Sequence, residues 1–531
     1  MIKICLRTFI SIAFLACLVV LISGKSSAGN SVINDFDTSF PFSPSIACNE
    51  TKDTIVLVST ESFKNQIDSR LNGREKTLYI IGADFDLKSE TIIIPSQSVL
   101  KFTKGKLYNG TIEGKETQVI SARDSIFNNV IIKGSWKASN PRAEWFGANG
   151  NDNFDDTYAF KALAKFSGRA MFEKAKTYLV NDYVFIKSNI EWDLNESTIK
   201  LFENKSFSMY ISQAENVIIR NGNIIGNRIA DASNLEYGIT IDASKNIVLE
   251  NLYFSQFSRD GIYVGYEWSD SDEELHATES IIINKCVFDN VARNGITIGA
   301  GENIEVSNCV FKNINTTFPK SGIDIEPENI SKSKYLNLNN IRIHNCEFEN
   351  CRLAISVYQS NYNYQSGDVY ISDIDCINSI LYIENIKKDG GFNTYINKVI
   401  FKDCKDACIQ ITNPCNRMHT NLLNVQVKST YLLKSRKQAA VAINANGDRS
   451  DIGGVLIDGF NLGDSTYEYI VYVSHSKDKQ PGRLTNLSLK NIKRKWRPLN
   501  NDIILAEETV LDKNTLEANK SLKRKIQYIR K

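Results

Sequence analysis

Asp324 and Glu326 stand two residues apart in the segment Gly-Ile-Asp-Ile-Glu that begins at Gly322. In an extended strand, residues i and i+2 share a face with α-carbons roughly 6.5–7 Å apart, so these two carboxyl groups would be neighbours. A carboxyl pair at that range is the minimum set for acid/base cleavage of a glycosidic bond, by either the inverting or the retaining route. Just ahead of this segment and its relatives lie Arg259, Arg293, Lys320 and Arg352. Cations beside carboxylates could hold uronate or sulfate groups, or polarise a carboxylate for β-elimination. The plainer alternative for both sets is a solvated ladder of charges.

Related segments add outward Tyr263 and Tyr358, and the stretches that follow them carry Tyr266, Glu267 and Trp268, then Pro327, Glu328 and Tyr335, then Gln359, Tyr362 and Tyr364. Sugar faces stack on aromatic rings while sugar hydroxyls need acceptors, and loops on a rigid scaffold commonly carry function. The expected catalytic pair is Asp324 and Glu326, with Tyr263, Glu267, Trp268, Arg293, Lys320, Arg352 and Tyr358 on the substrate. This chemistry requires no cofactor. The acidic run Asp270, Asp272, Glu273 and Glu274 could take calcium, although it lacks the regular spacing of a calcium loop. The four histidines are scattered, which argues against a zinc site. Neither a phosphate-binding glycine loop nor a serine nucleophile elbow is present, so a nucleotide-dependent enzyme is not expected.

The elements that must position these residues are visible as a repeat. Ten stretches follow the order small, inward apolar, outward, inward apolar, outward, among them GITID at Gly238, GIYVG at Gly261, GITIG at Gly295 and GIDIE at Gly322, with starts 23 to 34 residues apart. A second motif runs in phase: IVLENLYF from Ile247, IIINKCVF from Ile281, IEVSNCVF from Ile304 and IRIHNCEF from Ile341. At least two period-2 strands per repeat, over so many repeats, predict a right-handed parallel β-helix. A leucine-rich repeat would show a regular leucine signature, and a propeller about four strands in roughly 40–45 residues.

Cys286, Cys309, Cys346 and Cys404 are read as one inward stack of small buried hydrophobes, a register that argues against most of the disulfide pairing that 11 cysteines invite. Asn251, Asn308 and Asn345, with Asn221 and Asn491, read as a turn ladder, because asparagine tolerates the left-handed conformation.

Lys3 and Arg7, an apolar run from about Phe9 to Ile22, and Ser26-Ser27-Ala28 read as a secretory signal over residues 1–28. The protein is therefore expected to be secreted, periplasmic or on the cell surface, without stable membrane insertion once the signal is removed. With 63 basic residues against 61 acidic, three of the basic ones in the signal, nothing supports nucleic-acid binding. Residues 29–140 are strand-rich and read as a cap or the first coils; 141–500 are expected to form the β-helix, and 501–531 a C-terminal cap whose basic run reads as a solvated helix or tail closing the last coil. Asp156 is expected to cap a helix from Thr157 to about Phe166, stopped by Gly168.

The stretch from Pro141 to Asp182 resembles the opening of the pectate lyase superfamily, through Phe146-Gly147-Ala148, Asp155-Asp156-Thr157, Ala159-Phe160, Gly168 and Tyr178-Leu179. The resemblance implies a β-helix and an extracellular protein that binds or cleaves polysaccharide, often an acidic one. The Asn-Thr-Asp, Asp-Asp, Gly-His-Gly and Arg-Ile-Lys motifs of polygalacturonases are missing from the expected register, so classical polygalacturonase activity is not expected. The leading expectation is a glycoside hydrolase or polysaccharide lyase acting in a groove on the β-helix face. The alternatives are a non-catalytic glycan-binding surface protein and a uronan epimerase.

Overall fold

The computed structural model describes residues 47–68, 74–202, 208–228, 236–265, 278–327, 338–359, 367–385, 392–413, 419–428, 439–445, 451–463, 465, 467, 469–475, 483–493, 504–507, 510–511 and 526–529. The signal segment lies outside them. Strands dominate, and their ladders are parallel, gathered into a 25-stranded and a 13-stranded sheet. Within these sheets each coil is set directly on the one before. Ile247, Ile281, Ile304, Ile341 and Val369 are partners in succession, as are Ile239, Ile262, Ile296, Ile323 and Ile355. Strands from Asp53 to Lys137 also pair in parallel and pass into the next coil through Trp136↔Phe166.

The two sequence motifs are locked together by packing. Phe254, Phe288, Phe311 and Phe348 stack at centroid distances of 4.9, 4.8 and 4.7 Å, with planes within 6° of parallel. Each such aromatic pair contributes about 0.5–1.5 kcal/mol beyond its burial. A β-carbon on Gly261, Gly295 or Gly322 would lie 2.6, 2.6 or 2.4 Å from the rings of Phe288, Phe311 and Phe348. The small residue that opens the first motif is therefore the seat of the phenylalanine that closes the second.

Asn221, Asn251, Asn308, Asn345 and Asn491 all have φ between 49° and 60°, as a turn ladder requires. Nδ2 of Asn251 donates to Oδ1 of Asn221 at 3.0 Å, and Nδ2 of Asn221 to Oδ1 of Asp193 at 3.0 Å. Cys286, Cys309 and Cys346 are buried and unpaired. Cys404 is corrected, because the positions after Cys346 in that column are Ile374 and Val399. It lies three residues beyond Phe401, as Cys351 lies three beyond Phe348, and so belongs to a neighbouring column.

Three local expectations also change. The helix spans Thr157–Leu163, and Phe166 already opens the strand Phe166–Met171, which contains Gly168 paired to Ile190. Asp156 does not cap with its side chain; its carboxylate accepts from the backbone N–H groups of Asn149 and Leu179 at 3.3 and 3.2 Å, tying the turn to the next strand. The N–H of Thr157 instead donates to Asp155 Oδ1 at 2.8 Å. Burial raises the Asp156 carboxyl to about 6. At the far end, Ile526–Ile529 is a strand paired with Ile504–Glu507, where a solvated helix or tail was expected.

Candidate active site

The 13-stranded sheet positions the expected carboxyl pair. On its outward face Thr240, Tyr263, Thr297, Asp324, Ser356, Tyr382 and Gln410 are successive partners, one per coil. Alternation sends the isoleucines between them into the core and leaves this column to face out. Over its middle lies a groove of about 920 Å³, lined by Asp324, Glu326, Ser356, Tyr358 and Tyr382, with Arg352, Phe318 and Lys405 also on its walls.

Asp324 is only 2% exposed although it lines the groove. Burial pushes its carboxyl up to about 7; the neighbouring Glu326 and Asp260 add to this, while the Ser356 hydroxyl and Arg293 work against it. Near neutral pH a carboxyl held there is poised to give a proton, as a general acid must. Burial and the Glu384, Glu326 and Asp324 carboxylates also raise Tyr358. The hydroxyl of Tyr382 bonds to Glu384, and burial with that bond keeps the phenol protonated.

The basic column divides. Arg293 was expected to hold substrate, but its Nε and Nη2 donate to the two oxygens of Asp260 at 2.8 and 2.5 Å, with Asp260 wholly buried. Burial works against the Arg293 charge, yet Asp260 outweighs it and the net shift is upward. Arg293 is thus a structural partner. Lys320 and Arg352 are placed differently: Nζ of Lys320 lies 4.8 Å and the Arg352 guanidinium carbon 4.3 Å from the ring centre of Phe318. That ring is 66% exposed, so the two cations and one aromatic surface form a rim beside the groove.

Tyr263 is 7% exposed and packs edge-on against Tyr237 at 5.7 Å, away from the groove lining. Glu267 and Trp268 lie outside the described residues, as does the acidic run from Asp270 to Glu274. Among the described residues no group of three or more His, Cys, Asp or Glu side chains could hold a metal ion.

Sequence reasoning missed Asp260, Asn294 and Thr297. Asn294 Nδ2 donates to Asp324 Oδ2 at 3.1 Å and to Thr297 Oγ1 at 2.9 Å, and Thr297 donates to Asp260 Oδ2 at 2.8 Å. The available signal was the position before the small residue of the first motif, which reads Asp260, Asn294 and Ser321 on consecutive coils and is buried on all three.

A family model described as a right handed beta helix region matches residues 178–329. The uncharacterized protein YclG of Bacillus subtilis (strain 168) is 29% identical over 184 residues, 32% of this chain and 32% of that protein, so the match spans about a third of the relative. The endo-xylogalacturonan hydrolase of Aspergillus tubingensis is similar at 14% identity and a TM-score of 0.48, over 71% of this chain and 97% of that one. The surface adhesin PfbA of Streptococcus pneumoniae is similar at 15% identity and a TM-score of 0.46, over 67% of this chain and 93% of that one. No described helix is long and apolar enough to cross a membrane. Parallel ladders, coil-on-coil register and the matched region together make this chain a right-handed parallel β-helix.

Proposed function

We propose that this chain is an exported carbohydrate-active enzyme that hydrolyses a polysaccharide lying in the groove over Asp324 and Glu326. The observation that carries the reading is a nearly buried acid, raised to about 7, two residues from a second carboxyl on the lining of an open groove of about 920 Å³. In this reading Asp324 protonates the leaving glycosidic oxygen. Glu326 either activates water or attacks the sugar carbon, so both stereochemical routes are open to the pair. Tyr358 and Tyr382 flank the scissile sugar. Lys320 and Arg352 on the Phe318 rim supply charge for uronate or sulfate groups, which favours an acidic polymer.

The test is incubation of the protein from about Gly29 with a panel of acidic and neutral polysaccharides, following reducing ends and ultraviolet absorbance together. New reducing ends without absorbance support hydrolysis. Absorbance from an unsaturated product transfers the chemistry to elimination, with Tyr358 as base and Lys320 and Arg352 neutralising the uronate carboxylate. A changed uronate ratio without shortening identifies an epimerase. Binding without any product makes the groove an adhesive surface.

A further inference from the structure

Beneath the groove, Asp260, Asn294, Thr297 and Asp324 form a chain of hydrogen bonds. The Ser321 backbone N–H donates to Asn294 Oδ1 at 3.0 Å, which fixes the orientation of that amide. Nδ2 therefore faces the opposite way and donates to both Thr297 Oγ1 and Asp324 Oδ2. Thr297, having accepted there, gives its own proton to Asp260 Oδ2. Asp260 is in turn gripped by Arg293 and receives the Asn294 N–H at 3.2 Å. Asp260, Asn294 and Ser321 are 0% exposed, so water does not compete for these bonds.

A neutral carboxyl has one carbonyl oxygen, the better acceptor, and one hydroxyl. We propose that Asn294 is a positioning residue for the acid: by donating to Oδ2 of Asp324 it confines the carboxyl's proton to Oδ1, the oxygen left to the substrate. The proposal rests on the reading of Asp324 as general acid. The charged and titratable groups around Asp324 are Glu326 just beyond the end of its strand, Asp260 and Arg293 from the two preceding coils, and Tyr358 from the following one. Asp260 and Arg293 are paired and oppose each other's influence. The adjustable contributions are then Glu326 and the hydrogen bonds from Asn294 and Ser356.

The experiment is a carbon-13 carboxyl NMR titration of Asp324 in the full-length protein, its signal assigned by its loss in Asp324→Asn. A donor to a carboxylate favours the charged form, so Asn294→Leu raises the Asp324 midpoint by about one pH unit. Thr297→Val leaves Asn294 in place but removes its anchor, and raises the midpoint by less; Thr297→Ser restores it. An unchanged midpoint in folded Asn294→Leu overturns the proposal. Should that variant fail to fold, identical midpoints in Thr297→Val and Thr297→Ser overturn it equally. Because the titration needs no substrate, it stands apart from the functional reading, which falls if Asp324→Asn retains full turnover.

Discussion

Replacing Asp324 by asparagine separates the charge of this side chain from its shape. Burial, with Glu326 beside it, holds the folded carboxyl at about 7 against 3.8 for an unhindered aspartate. Below the lower value both folded and unfolded chains carry the proton, and the site exacts no penalty. As pH rises from 3.8 towards 7 the unfolded chain releases a proton that the folded chain keeps, so stability falls through that window and levels off above it. At about 1.36 kcal/mol per pH unit, the full shift corresponds to about 4 kcal/mol of stability lost by the wild type. Asp324→Asn presents an oxygen to Asn294 as the neutral acid does, and it never ionises. The variant should therefore match the wild type near about pH 4 and exceed it by about 2–4 kcal/mol above about pH 7. Denaturant unfolding of the two proteins in parallel across that range measures the difference, and the rest of the solenoid is common to both. A difference that stays constant with pH, or one that turns against the variant as pH rises, would refute the reasoning.

Turnover should fall by at least about 100-fold in both Asp324→Asn and Glu326→Gln, with polysaccharide binding retained in a pull-down assay. Wild-type cleavage should decline above about pH 7 as Asp324 loses its proton, which a pH–rate profile would show. Arg293→Ala leaves the Asp260 carboxylate buried without its partner and should destabilise the protein by about 3–5 kcal/mol in denaturant unfolding, beyond any effect on substrate. Combined Lys320→Ala and Arg352→Ala should weaken binding of an acidic polysaccharide in a salt-dependent way and leave a neutral one unaffected, as read by calorimetry at two ionic strengths. Phe311→Ala opens a void between two stacked rings and should lower stability by about 3–5 kcal/mol.

The coil pattern was legible because a β-helix repeats one burial problem: Ile262, Ile296 and Ile323 meet the same surroundings one coil apart, so similar residues recur. Asp324 and Glu326 were legible for the same reason, since alternation alone decides that they face out. Arg293 was misread because spacing along the chain places it in a column with Lys320 and Arg352 but does not reveal the buried Asp260 that claims it. Asp155 and Asp156 show the same limit at a helix start: both carboxylates accept backbone N–H groups, and only the path of the strand through Leu179 decides which one serves the helix. Cys404 was misplaced because Val399, Phe401 and Cys404 repeat the spacing of Cys346, Phe348 and Cys351, so that Val399 takes the column position and Cys404 falls beyond it.

The asparagine ladders have a direction. Asn216 donates to Asn189, Asn246 to Asn216, Asn251 to Asn221, Asn308 to Asn284, Asn378 to Asn350 and Asn424 to Asn397, each time from the later coil to the earlier. A stack ended after any of these coils would present side-chain oxygens on its growing edge, ready to accept the amide of the coil that follows. An arriving coil thus finds its partner already in place, whereas one added at the opposite end would have to bring acceptors to waiting N–H groups. Synthesis also delivers the chain amino-terminus first. The turns give the solenoid an arrow, and it points the way the ribosome releases it.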